Sequence, residues 1–178
     1  NGDMWFHSDQ CYYEIPCRAS TLYAMEIPSV GGNTLFANCY KAWETLPEDL
    51  CEKLLPLKAH NIYDYAGNPL KRGDNIDPNA PQYSHPVARR HPETGKHALY
   101  VNRLMTDYIE GIDPEESDDI LKQLFEHSEK PEFTYEHVWR VGDMMMWDNR
   151  CSMHARTDFD PNERRMMRRI TVKGEAVR

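Results

Sequence analysis

The sequence predicts a mainly β fold, a sandwich or barrel carrying inserted helices. Three observations predict it. Short apolar and β-branched runs punctuated by Gly and Pro occupy both ends of the chain, a helical stretch lies between them, and nothing follows the βαβ rhythm of a parallel sheet. The chain has 178 residues, 40% hydrophobic and 28% charged, the make-up of an ordinary globular protein. It reads as one domain over 1–178, with a helical and loop insertion at roughly 39–130. A chain of this size buries roughly 70% of its unfolded surface, enough for one core.

The elements follow in order. Thr21–Ile27 is β-compatible and Pro28 stops it. Gly31-Gly32 supplies a turn with permissive φ, and Thr34–Ala37 resumes a strand. Helical pieces are expected around Tyr40–Thr45 and Glu48–Leu55, with Pro47 suited to a helix start. Asp64–Pro86 is rich in Gly, Pro, Asn and Asp without periodicity and reads as one long loop. Ala98–Val101 reads as a strand, and Pro114 opens a helix to about Glu129 with Ile120, Leu121, Leu124 and Phe125 on one face. Three strands close the chain, at Phe133–Arg140, Asp143–Trp147 and Arg165–Val172. Trp147, Tyr100 and the run Met144–Met146 read as core packing.

Composition narrows the function. With 21 basic and 29 acidic residues the formal net charge is -8, which argues against a nucleic-acid or anionic-membrane surface. No stretch approaches the ~20 apolar residues of a membrane span, and Asn1-Gly2-Asp3-Met4 does not read as a signal peptide. Five cysteines without zinc-type CxxC spacing read as mostly buried free thiols, which predicts a cytoplasmic location. One region breaks the acidic balance. From Arg150 to Arg169 six arginines face three acids, which suggests a bound small anion.

His7-Ser8-Asp9 is the first chemical signal. Residues i and i+2 of a strand share a face, so an imidazole and a carboxylate can hold adjacent corners of a metal. Two histidines and one carboxylate leave three positions open, the arrangement of non-heme Fe(II) oxygenases. The second histidine must come from a distant strand. His60 and His137 lie on plausible strands with nothing anion-binding close behind them, whereas His154 follows Trp147-Asp148-Asn149-Arg150 and precedes the arginines. An organic-acid co-substrate needs a carboxylate clamp, and arginine offers a planar, always-charged fork.

Trp5-Phe6-His7-Ser8-Asp9, Gly31–Asn38, Leu99–Asn102, Gly142–Arg150, His154 and Arg164–Arg169 occur in an order that resembles the TauD/TfdA family of Fe(II)- and 2-oxoglutarate-dependent dioxygenases. The resemblance spans essentially the whole chain. It implies a double-stranded β-helix (jelly roll, clavaminate synthase-like) with Fe(II) held by His7, Asp9 and His154. It also implies that Thr34 and Arg165 bind 2-oxoglutarate, and that Arg169, with Gln10 beside the motif, meets a small anionic substrate such as a sulfonate, carboxylate or aryloxy acid. O2 is the oxidant, and succinate and CO2 are released. Arg165 and Arg169 differ by an even number, so both can face the interior while Arg164 and Arg168 point outward. The rival reading is a metal-binding jelly roll without a complete substrate pocket. Family members carry a substantial segment before the HxD strand, and here that motif opens the chain, so an N-terminally truncated barrel is expected. Its open edge, with Trp5 and Phe6 uncovered, predicts a homo-oligomer, a twofold dimer first.

Overall fold

A computed structural model describes residues 5–63 and 77–177. In chain order its strands are β1 (Ala19–Glu26), β2 (Thr34–Asn38), β3 (Lys58–Ile62), β4 (Gln82–Pro86), β5 (Ala88–Arg90), β6 (His97–Leu99), β7 (Thr106–Ile109), β8 (Thr134–His137), β9 (Met144–Asp148), β10 (Ser152–Arg156) and β11 (Met166–Val172). Three helices intervene, α1 (Cys39–Glu44), α2 (Glu48–Leu54) and α3 (Pro114–Ser128). The architecture is mainly β with few helices, as the sequence predicts.

Two antiparallel sheets frame the functional site, one ordered β11-β1-β9 and the other β10-β2-β8. Register fixes their faces. Leu22 lies opposite both Arg169 and Met145, and Ser20 opposite Trp147, so these side chains point together toward the second sheet. Tyr23 lies opposite Arg168 and Met144, and Thr21 opposite Ile170 and Met146, so this row points out. Met144 and Met146 are 68% and 61% exposed. The expectation that Met144–Met146 is core packing therefore fails for two of its three residues, because strand alternation buries only alternate positions.

A second layer supports the frame. The sheet β4-β3-β7 and the pair β5-β6 pack with the helices around Leu54, Val87, Leu99, Ile109, Leu121 and Leu124. Asn38 caps α1 by accepting from the Lys41 amide, Pro47 precedes α2, and Asp113 caps α3 by accepting from Glu115. The caps explain why these helices lie close to their predicted ends.

Several expectations need correction. Asp64–Pro86 is not one loop: Gln82–Pro86 is a strand on β3, and residues 64–76 lie outside the described ones. Pro86 sits on the edge of that sheet, where a missing N–H costs no ladder bond. The strand expected over Phe133–Arg140 is four residues long, because Pro131–Phe133 forms a 3₁₀ turn ahead of it. Strands β5, β7 and β10 escaped the sequence reading, being short and mixed in polarity, whereas β3 carries His60 as expected. Phe6 is buried against Ala37 and Met153, and the Arg103 guanidinium lies 5.9 Å from the centre of the Trp5 ring, so these aromatics have cover within the chain. All five cysteines are free, with Cys11, Cys17 and Cys39 buried. Among the described residues no helix is long and apolar enough to cross a membrane.

Leu124 is fully buried in the core cluster of the helical layer, which includes none of His7, Asp9 and His154. Leu124→Ala should lower unfolding stability by about 2–5 kcal/mol in urea denaturation. Metal affinity of the folded fraction should stay at the native value.

Candidate active site

The site begins with a main-chain bridge. The His7 amide donates to the His154 carbonyl at 3.0 Å, and the His154 amide donates back to the His7 carbonyl at 2.9 Å. Two residues 147 positions apart are thus locked side by side, their rings 4.2 Å apart. Asp9 lies two residues on from His7, on the same face. One ligating atom from each of His7, Asp9 and His154 can be chosen so that all three lie within 4.8 Å of one another, and all three residues are buried.

Each donor is oriented by a neighbour. His7 Nδ1 lies 2.8 Å from the Trp5 carbonyl, an acceptor only, so Nδ1 carries the proton and Nε2 keeps its lone pair. Asp9 Oδ2 accepts from the Ser20 hydroxyl at 2.5 Å, while Oδ1 faces His7 and Arg169. Asn149, fully buried, acts as a substitute peptide: its Oδ1 accepts the Asp9 amide and its Nδ2 donates to the carbonyls of Asp9 and Cys17. Burial is the larger influence on the Asp9 carboxyl and raises its pKa, but His154, the Ser20 hydroxyl, His7 and Arg169 together hold it below the ordinary value. Burial, with His7 beside it, pushes His154 down to about 3, so its ring is neutral at physiological pH. Trp147 packs 4.7 Å from the His154 ring, with Phe36 behind. Trp147, expected as plain core, is buried but walls the site.

Two cavities flank this triad. One, of about 290 Å³, lies between the framing sheets and is bordered by Thr34, Trp147, Arg165 and Arg169. Thr34 is buried at the start of β2. Arg165 donates from Nε to the Gly32 carbonyl at 2.8 Å. The glycine pair is what permits this approach. Gly31 and Gly32 have φ of +77° and +65°, and a Cβ on Gly31 would collide with the Asp158 carbonyl while one on Gly32 would crowd Pro28 and the Arg165 side chain. The second cavity, of about 160 Å³, is bordered by Gln10, Tyr12, Tyr63 and Arg169. Gln10 has φ of 60°, turning the chain away from the strand directly after Asp9. Arg169 therefore borders both cavities, with a guanidinium nitrogen 3.3 Å from Asp9 Oδ1 and a side chain 59% exposed.

The arginine cluster does not act as one anion site. Arg150 is buried and consumed by Asp148, Glu93 and Glu175, Arg156 lies over the Phe159 ring, and Arg164 pairs with Glu26. Arg156, Arg165 and Arg169 border the larger cavity beside the triad, and of these Arg169 also borders the smaller one. The other candidate histidines stand apart: His60 is near Asp107 and stacks on Tyr108, and His137 is near Asp143. A second group, His91, Asp148 and Cys151, has metal-like spacing but the wrong chemistry. His91 Nδ1 accepts from the amides of Glu93 and Thr94, so Nε2 carries the proton and donates to Asp148 at 3.1 Å. No imidazole lone pair is left for a metal there.

Sequence reasoning missed Asn149, Ser20 and Trp139. Asn149 stands within the quoted Trp147–Arg150 run, and its type, a side-chain amide able to imitate a peptide, was the available signal. Nothing in the sequence marks Ser20 or Trp139, whose partners lie 11 and 105 residues away.

Two sheets of a double-stranded β-helix fold thus bring together two histidines and a carboxylate that could hold a single metal ion. Comparison with known proteins narrows this. The model of the family described as "Taurine catabolism dioxygenase TauD, TfdA family" matches residues 1–171, and the chain belongs to that family. Pentalenolactone F synthase of Streptomyces avermitilis is 37% identical over 95% of this chain and 60% of its own length. The (S)-phenoxypropionate/alpha-ketoglutarate-dioxygenase of Sphingobium herbicidovorans is 32% identical over 98% of this chain and 63% of its own. A crystal structure of AAD-2 in complex with Mn(II) and N-oxalylglycine superposes with a TM-score of 0.91 and 31% identity, covering 98% of this chain and 71% of that one. The chain spans about 60% of the length of the curated relatives it matches.

Asp148 offers a pH test of the frame. Burial alone raises its carboxyl, but hydrogen bonds from Arg150 and His91 hold it at about 2, beneath an ordinary 3.8. A depressed carboxylate stabilises the fold above its unfolded pKa and loses that contribution as pH falls toward the folded value. Because the side chain is 34% exposed, the contribution is about 1 kcal/mol. The stability gap between wild type and Asp148→Asn should be full at pH 6 and close between about pH 4 and 2 in urea denaturation.

Proposed function

We propose that the chain forms the iron- and co-substrate-binding part of an Fe(II)- and 2-oxoglutarate-dependent dioxygenase that hydroxylates a small anionic organic molecule, a sulfonate, carboxylate or aryloxy acid. One observation carries the reading. A buried His7–Asp9–His154 group has a guanidinium and a hydroxyl on one side and a second guanidinium shared with the other.

The residues fit the metal. His7 Nε2, Asp9 Oδ1 and a neutral His154 ring are a two-imidazole, one-carboxylate donor set that suits Fe(II) and leaves coordination positions open. Held there with 2-oxoglutarate and O2, Fe(II) would supply the oxidation of a substrate C–H bond, with one oxygen atom ending in the hydroxylated product, the other in succinate, and CO2 released. The chain's own residues do the rest. Ser20 and Asn149 hold Asp9 in place through its Oδ2 and its main chain. Thr34 and Arg165 would take the far carboxylate of 2-oxoglutarate, a hydroxyl donor and a fixed positive charge in a cavity lined by the buried Trp147. Arg169 and Gln10 would meet the substrate's anionic group beside the metal. Positioning and water exclusion are what a protein contributes when its cofactor performs the chemistry.

A small-molecule substrate agrees with what the relatives' names describe, a phenoxypropionate dioxygenase and a 2,4-dichlorophenoxyacetate dioxygenase among them. The net charge of -8 and the internal pairing of Arg150 and Arg164 argue against a nucleic-acid substrate. Cytoplasmic residence and a homodimer belong to the same proposal. Five free cysteines accord with a reducing compartment, and the exposed outer row of Met144, Met146 and Ile170 accords with a covered face between copies.

Anaerobic Fe(II) with 2-oxoglutarate should give a weak visible charge-transfer band. His7→Ala, Asp9→Ala and His154→Ala should each abolish it, and His60→Ala and His137→Ala should keep it. A band that survives loss of His154 overturns the ligand assignment. Arg165→Ala should weaken 2-oxoglutarate binding about 10- to 150-fold, the worth of a charged hydrogen bond, with iron affinity nearly unchanged. Thr34→Val should cost less, about two- to tenfold, having removed one neutral donor. A larger effect at Thr34 than at Arg165 places the co-substrate carboxylate elsewhere.

A further inference from the structure

Trp139 touches none of the three triad residues, yet it is buried and its indole N–H donates to the Thr34 hydroxyl oxygen at 2.9 Å. We infer that Trp139 is a positioning residue for the 2-oxoglutarate subsite, its N–H occupying the acceptor side of the Thr34 hydroxyl and so directing the hydroxyl proton at the co-substrate's carboxylate. The inference rests on the reading of the Thr34–Arg165 cavity as that subsite.

The logic is one of donor bookkeeping. An indole N–H only donates, and a threonine hydroxyl carries one rotatable proton and two lone pairs. With Trp139 on one lone pair, the Thr34 proton is turned away from the indole. Among the described residues no atom accepts that proton, and Thr34 borders the cavity it shares with Arg165. A buried donor without an acceptor costs free energy unless a ligand supplies one, and a carboxylate does. A hydroxyl that already accepts a hydrogen bond is also the better donor, since bonds in a chain polarise one another.

Trp139 is itself held by the sheet that carries Thr34. His137 lies directly opposite Thr34 in the β2–β8 ladder, and its ring meets the Trp139 ring edge-on, with centroids 4.5 Å apart at 88°. His137 lies in turn 3.2 Å from Asp143, beside the turn into β9. The indole is therefore set by the same register that sets Thr34.

The decisive experiment compares two ligands on Mn(II)-loaded protein by anaerobic calorimetry: 2-oxoglutarate, and pyruvate, which keeps the 2-oxo acid but lacks the distal carboxylate. Trp139→Phe should weaken 2-oxoglutarate about two- to tenfold and leave pyruvate unchanged. In a Thr34→Val background the same substitution should weaken 2-oxoglutarate by less than about twofold, because the hydroxyl it orients is gone. Equal losses for both ligands, equal losses in both backgrounds, or no loss at all overturns the inference. If Trp139→Phe does not fold, the four indole N–H signals of 15N-labelled native protein serve instead. The Trp139 signal should shift in Thr34→Val and on adding 2-oxoglutarate, and not on adding pyruvate; a signal indifferent to 2-oxoglutarate overturns the inference equally. Failure of native protein to bind 2-oxoglutarate at all is a different result, and it removes the co-substrate reading rather than the role of Trp139 within it.

Discussion

Two main-chain hydrogen bonds between His7 and His154 are the constraint on which the rest of this structure depends. They set the spacing of two imidazoles directly, and they set Asp9 indirectly, because a residue two further along an extended chain returns to the same face. The other features of the site secure this arrangement. Asn149 ties the main chain at Asp9 to the turn that leads into β10, where His154 sits. Ser20 reaches the same carboxylate from the opposite sheet. A metal site assembled this way has little freedom left to lose when an ion arrives, which is the meaning of preorganisation.

Charge is partitioned as carefully as geometry. Arg150 and Asp148 lie close to the metal group in sequence but satisfy each other and two glutamates, forming a closed structural network around the chain's last described residues. Arg165 and Arg169 sit on the inner side of the sheet instead. Among the described residues Arg18, Arg103, Arg150 and Arg164 are paired with carboxylates, while Arg165 and Arg169 border the cavities beside the triad.

The family and every framing strand but β10 were legible because their signals are local. HxD, the Gly-Gly turn and the even spacing of Arg165 and Arg169 each express a two-residue period or a φ that only glycine takes easily. Helices α2 and α3 were legible for the same reason, through Pro47, Pro114 and the spacing of Ile120, Leu121, Leu124 and Phe125. What stayed hidden depends on partners far along the chain. Strand β4 reads as loop because its residues Gln82–Pro86 owe their extended form to pairing with β3, not to their own propensity. Met144–Met146 reads as core because three apolar residues in a row carry no mark of which one faces out. The six-arginine run reads as an anion patch because Glu26, Glu93 and Glu175, which neutralise it, are distant in sequence.

The bridge between His7 and His154 also bears on synthesis. Contacts between residues 147 positions apart demand closure of a long stretch of chain, which is slow and comes late relative to local helices and hairpins. Until residue 154 has been made, His7 and Asp9 stand without their histidine partner. The group His7, Asp9 and His154 is complete only when β10 has joined β2, by which point Ser20, Thr34 and Asn149, the residues that support it, have all been made.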